Sequence, residues 1–487
     1  MILDYEYKNG KVILSHFNEK GNIEFKNYDW LNPLQWNICS ANDISKSDKF
    51  TTWNKKPVKL ERTRYPNRYA IYEYLRKQDE KNQKEIFGYN KPNVWFCDIE
   101  VEITQGFPEA HLAENKITSI ALINNNKIYL LGIKPLEERQ DKKLEKDINE
   151  YFSKFNTNYK VKWIPCKNEY ELVDLFFNIF MPKIPVLTGW NFIDYDWVYL
   201  VTRARKIGIN PEAASPTGVL KKPWKKDENE FKPTYEELPQ HRMVFDYMKI
   251  FEKWDTSIKI RESLSLDFIS KNVLNNKKLT YDGTLKDLYH NDWYKYLLYN
   301  AIDTALVQLI DKKQKTFDIM LSIANLSKID VKSVLSQIRV TEGVLFDTYY
   351  NNGIVMAKQK TSYTENDDDN DNEFSGGYVK FPCVGLRMWV VVFDYASLYP
   401  TAMRQFNIAP ESFKGMKIDD NYCILDGVKN KIDKNDIILL NGAVFKNENS
   451  GTKQVLTNIY GSRKTNKKIG LLLYKKIKQI EQYKNAS

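Results

Sequence analysis

Two carboxylates, Asp98 and Glu100, stand two residues apart inside an apolar run, Trp95-Phe96-Cys97-Asp98-Ile99-Glu100-Val101. On a β-strand, positions i and i+2 project from one face. An extended run here therefore sets both acids side by side on a surface otherwise suited to burial. Such a pair repels unless a cation joins it, and a hard, oxygen-preferring ion such as Mg²⁺ or Mn²⁺ suits it best. Two further acid signals follow. Asp196 closes Gly189-Trp190-Asn191-Phe192-Ile193-Asp194-Tyr195-Asp196, just past an expected strand. Asp303 lies in a helical pattern with Tyr299 one turn earlier, and residues four apart share a helix face. Four carboxylates from three elements would hold two ions about 3.5–4 Å apart, activate a water and neutralise the leaving oxygen of a phosphodiester. Tyr299 would hold the water in line. Each residue alone has a plainer reading: Asp194 or Asp196 as a helix cap, Asp303 as a surface acid, Tyr299 as core. Their order within one α/β segment joins them.

A second constellation is Val390-Val391-Val392-Phe393-Asp394-Tyr395-Ala396-Ser397-Leu398-Tyr399-Pro400. Here the pattern predicts that Asp394 ends a buried strand and binds a metal. The backbone amides of Tyr395, Ser397 and Leu398 would cradle a triphosphate at a turn or helix start. Tyr399 would stack under the sugar and leave no room for a 2′-hydroxyl, the group that distinguishes RNA from DNA. Arg463 and Lys467 lie four apart in a basic helical segment and would face one anion.

The elements that must position these residues are readable in outline. The first 90 or so residues are β-rich, with turns at Asn9-Gly10 and Gly21-Asn22; a charged stretch at 76–85 precedes the strand of Asp98. Residues 117–123 and 127–131 predict a hairpin around Asn124-Asn125-Asn126. Residues 169–180 predict a helix with a stripe of Leu172, Leu175, Phe176 and Ile179. Pro185-Val186-Leu187-Thr188-Gly189-Trp190 predicts a short buried strand, and 263–274 and 293–313 predict helices. Residues 365–373 (ENDDDNDNE) predict a solvated acidic linker. Strands are expected at 375–379 and 386–394. Residues 462–487 predict a basic helix whose stripe of Ile469, Leu472, Leu473, Ile477 and Ile480 needs a partner face.

Bulk properties set the frame. A chain of 487 residues, 42% hydrophobic and 14% aromatic, predicts a packed globular protein of several domains. Lys+Arg 73 against Asp+Glu 63 gives a net charge of +10, compatible with a polyanionic partner. Five scattered cysteines (39, 97, 166, 383, 423) form no CxxC pair, which argues against a zinc ribbon or disulfide framework and for a reducing compartment. Neither a signal peptide nor a membrane span is expected.

The set Asp98-Ile99-Glu100, Asn191 with Tyr195-Asp196, and Tyr299 with Asp303 resembles the DEDDy proofreading exonuclease of family B DNA polymerases. The Asp394-to-Pro400 run resembles that family's Asp-x-x-Ser-Leu-Tyr-Pro signature. Ser462-Arg463-Lys464 with Lys467 resembles the basic pair at the start of its fingers, and Ser375-Gly376-Gly377-Tyr378 its template-touching linker, with Phe374 where a leading Tyr is usual. The whole order resembles the N-terminal part of the replicative polymerases of T-even-type tailed bacteriophages.

The resemblance implies a multidomain α/β and α+β fold. A β-rich N-terminal domain would take 1–92 plus about 321–360, a ribonuclease-H-like 3′–5′ exonuclease 93–320, a partial palm 361–455 and the first fingers helix 456–487. It implies metal ligands Asp98, Glu100, Asp196 and Asp303 at one site and Asp394 and Tyr395 at another, with two Mg²⁺ or Mn²⁺ ions each. It implies a nucleotide site of Tyr395, Ser397, Leu398, Tyr399, Arg463 and Lys467. Primer-template DNA, a single-stranded 3′ end, deoxynucleoside triphosphates and a sliding clamp are the implied partners, in the cytoplasm of an infected bacterium. The sequence lacks the family's second fingers motif, Asn-Ser-x-Tyr-Gly, and its Asp-Thr-Asp-Ser palm motif, so either a partner polypeptide carrying the second palm acid or a truncated reading frame is expected. Two other readings stay open. A stand-alone exonuclease would not need Asp394, Leu398, Tyr399 and Arg463, and a non-catalytic nucleic-acid-binding regulator would not need the four acids.

Overall fold

The Asn9-Gly10 turn is made by two residues of positive φ, 51° and 73°, the geometry that matches the twist of a two-residue hairpin. It joins β1 (Ile2–Lys8) to β2 (Lys11–Phe17), and β3 (Ile23–Asp29) completes an antiparallel sheet. A separate hairpin, β4 (Leu34–Ile38) with β5 (Val58–Arg62), follows. The computed structural model describes all residues except 41–49, 105, 107, 222–236, 256, 259–261, 358–379, 396 and 487, and the backbone alone at 481 and 484–486. The acidic run at 365–373 and the expected strand at 375–379 lie outside the described residues.

The central element is a six-stranded sheet. Its strands are β6 (Val94–Val101), β7 (Ile117–Asn124), β8 (Lys127–Gly132), β9 (Lys160–Pro165), β10 (Val186–Gly189) and, after a short pair β11 (Leu220–Lys221) and β12 (Leu238–Pro239), β13 (Met243–Asp246). The order is β13-β10-β6-β7-β8-β9. β6 pairs antiparallel with β7 and parallel with β10, which pairs parallel with β13. Strand β6 is thus central, and its period of two sorts its residues. Cys97, Ile99 and Val101 join a core with Leu172, Phe176, Phe177 and Trp197. Asp98 and Glu100 belong to the other face, which the Trp293–Gln314 helix covers: Asn300 on that helix bonds to Asp98 and to Ser119 of β7.

The expected helix at 169–180 is α-helical only over Glu169–Asp174; Leu175–Phe180 is a wider π-turn. The extra residue per turn rotates the stripe, so Phe177 and Phe180 are buried and Ile179 is exposed. The helices at Leu266–Leu274 and Trp293–Gln314 and the 124–126 hairpin form as expected.

By contacts the chain divides into two units, Met1–Asn32 with Ile71–Gly343, and Pro33–Ala70 with Val344–Ser487. This division runs differently from the boundaries at 92 and 320 expected from sequence. It assigns β1–β3 to the unit of the six-stranded sheet and β4–β5 to the other. The second unit holds an antiparallel sheet of β14 (Phe413–Lys417), β15 (Tyr422–Leu425), β16 (Val428–Lys431), β17 (Ile437–Ile438) and β18 (Ala443–Phe445), and the Gly451–Ala486 helix. One expectation fails here. Residues 386–394 form no strand and are exposed, Phe393 at 92%. A strand exists only through hydrogen bonds to a neighbour, and no described strand lies beside this run.

Candidate active site

β10 stops pairing with β6 at Phe96, which leaves the Ile99 N–H on that side without a ladder partner. Asp196 takes its place: Ile99 N–H donates to Asp196 Oδ1 at 3.1 Å. Asp196 reaches this position because Ile193–Trp197 is a π-turn closed by Trp197 N–H to Phe192 O at 2.8 Å, a widening that recurs at functional sites. Asp194, two residues earlier, points elsewhere and pairs with Lys249 at 2.7 Å. Gly189 permits the approach of the two strands, since a Cβ there would stand 2.3 Å from the Cys97 carbonyl oxygen.

The long helix supplies the opposite wall. Asn300 accepts from Ser119 Oγ at 3.0 Å and donates to Asp98 Oδ2 at 2.8 Å, so one buried amide orients the first acid against the sheet. One turn apart, Tyr299 and Asp303 both meet Lys278: the ammonium donates to the Tyr299 hydroxyl at 3.1 Å and is paired with Asp303 Oδ2. Glu100, Asp196 and Asp303 are 7%, 5% and 3% exposed.

These acids share one electrostatic field. Burial, then the charge of Asp303, pushes the Asp98 carboxyl up to about 7. Burial holds Glu100 well above the carboxylate range, with Asp98, Asp303 and Asp196 adding to it. Asp196 is raised by burial and then by Asp98. Asp303 is raised by burial against the pull of Lys278. Burial works against the Lys278 charge, yet Asp303 and Tyr299 hold it above its ordinary value.

The donor set fits a divalent cation. Among the described residues, Asp303 Oδ1 is buried without a hydrogen-bond partner. These four carboxylates have Lys278 as their ammonium among the described residues, and a cation would reverse the repulsion that raises them. Among the described residues no three such side chains already close around one point as a finished ion cage.

All five residues expected at this site, Asp98, Glu100, Asp196, Tyr299 and Asp303, come together. Sequence reasoning missed Lys278 and Asn300. Asn300 directly follows Tyr299 and was open to a helix-face argument; Lys278 stands in a polar loop with no periodic signal. It also missed Asp246, buried at the end of β13, which caps the Tyr247–Trp254 helix through Met248 N–H at 2.9 Å.

The second constellation is only partly assembled. Asp394 is exposed in irregular chain rather than at the end of a buried strand, and Tyr395 and Tyr399 are exposed beside it. The expected helix start is present: Leu398–Gln405 is helical, with Ser397 in the left-handed region at φ 55°. Arg463 Nη1 donates to Ser397 Oγ at 2.6 Å, so the basic helix meets this turn. Lys467 lies one turn further on, exposed.

Residues 35–269 match the model described as DNA polymerase family B, exonuclease domain, and residues 330–469 the model described as DNA polymerase family B. Asp98, Glu100 and Asp196 fall in the first range and Asp394 to Lys467 in the second; Tyr299 and Asp303 lie between them. The chain is 27% identical over 410 residues to the DNA-directed DNA polymerase of Escherichia phage RB69, covering 80% of this chain and 43% of that protein. It is 27% identical over 259 residues to that of Enterobacteria phage T4, covering 53% and 28%. It is 24% identical over 343 residues to DNA polymerase 1 of Sulfurisphaera ohwakuensis, covering 67% and 36%. The chain thus spans less than half the length of each of these relatives.

Proposed function

The chain belongs to DNA polymerase family B, and from that premise we propose that its acid cluster is a 3′–5′ exonuclease site and that its second unit carries part of a nucleotidyl-transfer site. The observation that carries the first half is the common field of Asp98, Glu100, Asp196 and Asp303, drawn from a strand, a π-turn and a helix. The sheet order, with β6 between antiparallel β7 and parallel β10, supports a ribonuclease-H-like domain of the DEDDy kind.

In this reading the four acids would hold two Mg²⁺ or Mn²⁺ ions, which when bound would supply water activation and charge neutralisation at a phosphodiester. The other residues prepare the site. Asn300 fixes the Asp98 carboxylate in one orientation. Lys278 aims the Tyr299 hydroxyl and offsets one carboxylate charge. Tyr299 orients the attacking water, and burial excludes other waters. The substrate is a single-stranded DNA 3′ end. The test is hydrolysis of a 5′-labelled single-stranded oligonucleotide with Mg²⁺ and with EDTA: Asp98→Ala and Asp303→Ala should each lose activity by at least about 100-fold with an unchanged circular-dichroism spectrum. Full activity in Asp303→Ala would remove the assignment.

For the second half, Asp394 and Tyr395 hold metal, and Ser397, Leu398, Tyr399, Arg463 and Lys467 receive a deoxynucleoside triphosphate. The Arg463–Ser397 bond supports this grouping. Primer-template DNA is the substrate and phage DNA replication in the host cytoplasm the setting; no described helix is long and apolar enough to cross a membrane. The other palm acid would come from residues outside this sequence, whether on the same chain or on a second polypeptide. Support for it lies in the exposed apolar run at 390–393 and the exposed stripe of the Gly451–Ala486 helix.

A further inference from the structure

Arg242 is 4% exposed, yet among the described residues no carboxylate pairs with it. Its Nε donates to the Ala214 carbonyl at 2.6 Å and its Nη2 to the Pro182 carbonyl at 3.4 Å. Carbonyl oxygens orient a guanidinium but do not neutralise it. A buried, unpaired charge is costly, and here burial alone pulls the guanidinium down to about 10. Arg242 lines an open cleft of about 600 Å³ within the first unit, a size that admits a small ligand. Lys183, exposed and without an ion pair among the described residues, stands on the same wall, and Asn22 adds an amide. The rest of the lining is apolar and flat: Pro182, Pro216 and the ring of Phe25, which packs on His241 at 5.3 Å.

We propose that this cleft binds a nucleoside phosphate, with the phosphate on Arg242 and Lys183 and the base against Phe25 and the prolines. The guanidinium fork matches phosphate oxygens, and an aromatic ring supplies a sequence-tolerant platform for a base. None of the acids of the exonuclease site lines the cleft, and the proposal stands whether or not that site hydrolyses DNA. The shared chemistry has two sources, a free nucleotide or one unit of a single strand.

The full chain is titrated calorimetrically in EDTA, which keeps phosphate off the acid cluster, with dAMP, deoxyadenosine, inorganic phosphate and an octathymidylate. Saturable binding of dAMP but not deoxyadenosine is expected, with inorganic phosphate weaker than dAMP. Tighter binding of the oligonucleotide than of dAMP identifies a strand as the source, and the reverse identifies a free nucleotide. Arg242→Met should weaken dAMP by at least about 10-fold while leaving the melting temperature in phosphate-free buffer unchanged or higher. Lys183→Gln, an exposed change that leaves the fold intact, should weaken it several-fold, and Lys162→Gln, exposed on β9 and outside the cleft, should leave it unchanged. Absence of saturable dAMP binding, full affinity in both Lys183→Gln and Arg242→Met, or loss of binding in Lys162→Gln would each overturn the proposal.

Discussion

One oxygen of Asp303 meets Lys278 and the other, buried, has no hydrogen-bond partner among the described residues, and around it three more acids raise one another. The pH dependence follows by linkage. Asp98 titrates near 7 in the folded chain against a lower unfolded value. A raised carboxyl stabilises the fold while it is protonated, so its contribution is whole below the unfolded value and is lost as pH climbs through about 7. In EDTA the melting temperature should therefore fall between about pH 4 and 7, and Asp98→Asn should flatten part of that fall; a melting temperature that rises over this window would contradict the burial of the cluster. Mg²⁺ should restore stability most at the upper end, where the acids are charged. Lys278→Met leaves Asp303 without its counter-charge, so the fall in EDTA should steepen, and hydrolysis should drop about 10- to 100-fold. Tyr299→Phe removes one hydroxyl and should reduce kcat without moving the melting temperature. The pair Asp98 and Glu100 was legible because two-residue spacing is a property of the chain itself. The choice of Asp196 over Asp194 rested on the Tyr195-Asp196 pair of the family resemblance and not on spacing, because it depends on a π-turn that widens by one residue, and Lys278 carries no local pattern at all.

At the scale of elements, the site depends on how closely β10 approaches β6. Gly189 is the contact point, with the Cys97 carbonyl oxygen where a Cβ would lie. Backbone cannot swing aside as a side chain can, so Gly189→Ala should shift β10 and with it the turn that carries Asp196. A destabilisation of about 1–3 kcal/mol is expected, measurable by urea denaturation. Hydrolysis should fall further than the folded fraction does, because a shift of about an ångström misplaces a ligand before it unfolds a domain; activity in step with folded fraction would detach the turn from the site. The strands around this point were legible from alternation and turn residues, since Asn9-Gly10 and the 124–126 turn fix register locally. The run at 386–394 was misread for the converse reason. Its apolar residues and terminal Asp394 have the composition of a buried strand, but pairing comes from a neighbour, and composition does not reveal whether one is present.

At the scale of the molecule, the two units differ in how much apolar surface they expose. The first encloses its acids and both walls of their site. The second exposes Val390, Val391, Val392 and Phe393 beside Asp394, and a helix on which Ile469, Leu472, Ile477 and Ile480 all face solvent, Leu472 at 61%. Exposed apolar surface of this extent marks an interaction site. A nucleotidyl-transfer centre needs two carboxylates to hold its metals, and the sequence supplies Asp394 without the Asp-Thr-Asp-Ser motif. The purified chain should therefore degrade a single strand yet fail to extend a primer. Adding a polypeptide that carries the missing acid should restore extension, lose it again in Asp394→Ala, and reduce binding of a hydrophobic dye by the second unit. Leu472→Glu with Ile477→Glu should weaken that restoration while sparing hydrolysis, since neither residue belongs to the first unit. Primer extension by the single chain, free of contaminating polymerase, would show that the second carboxylate comes from within these residues and that the exposed surface serves another partner.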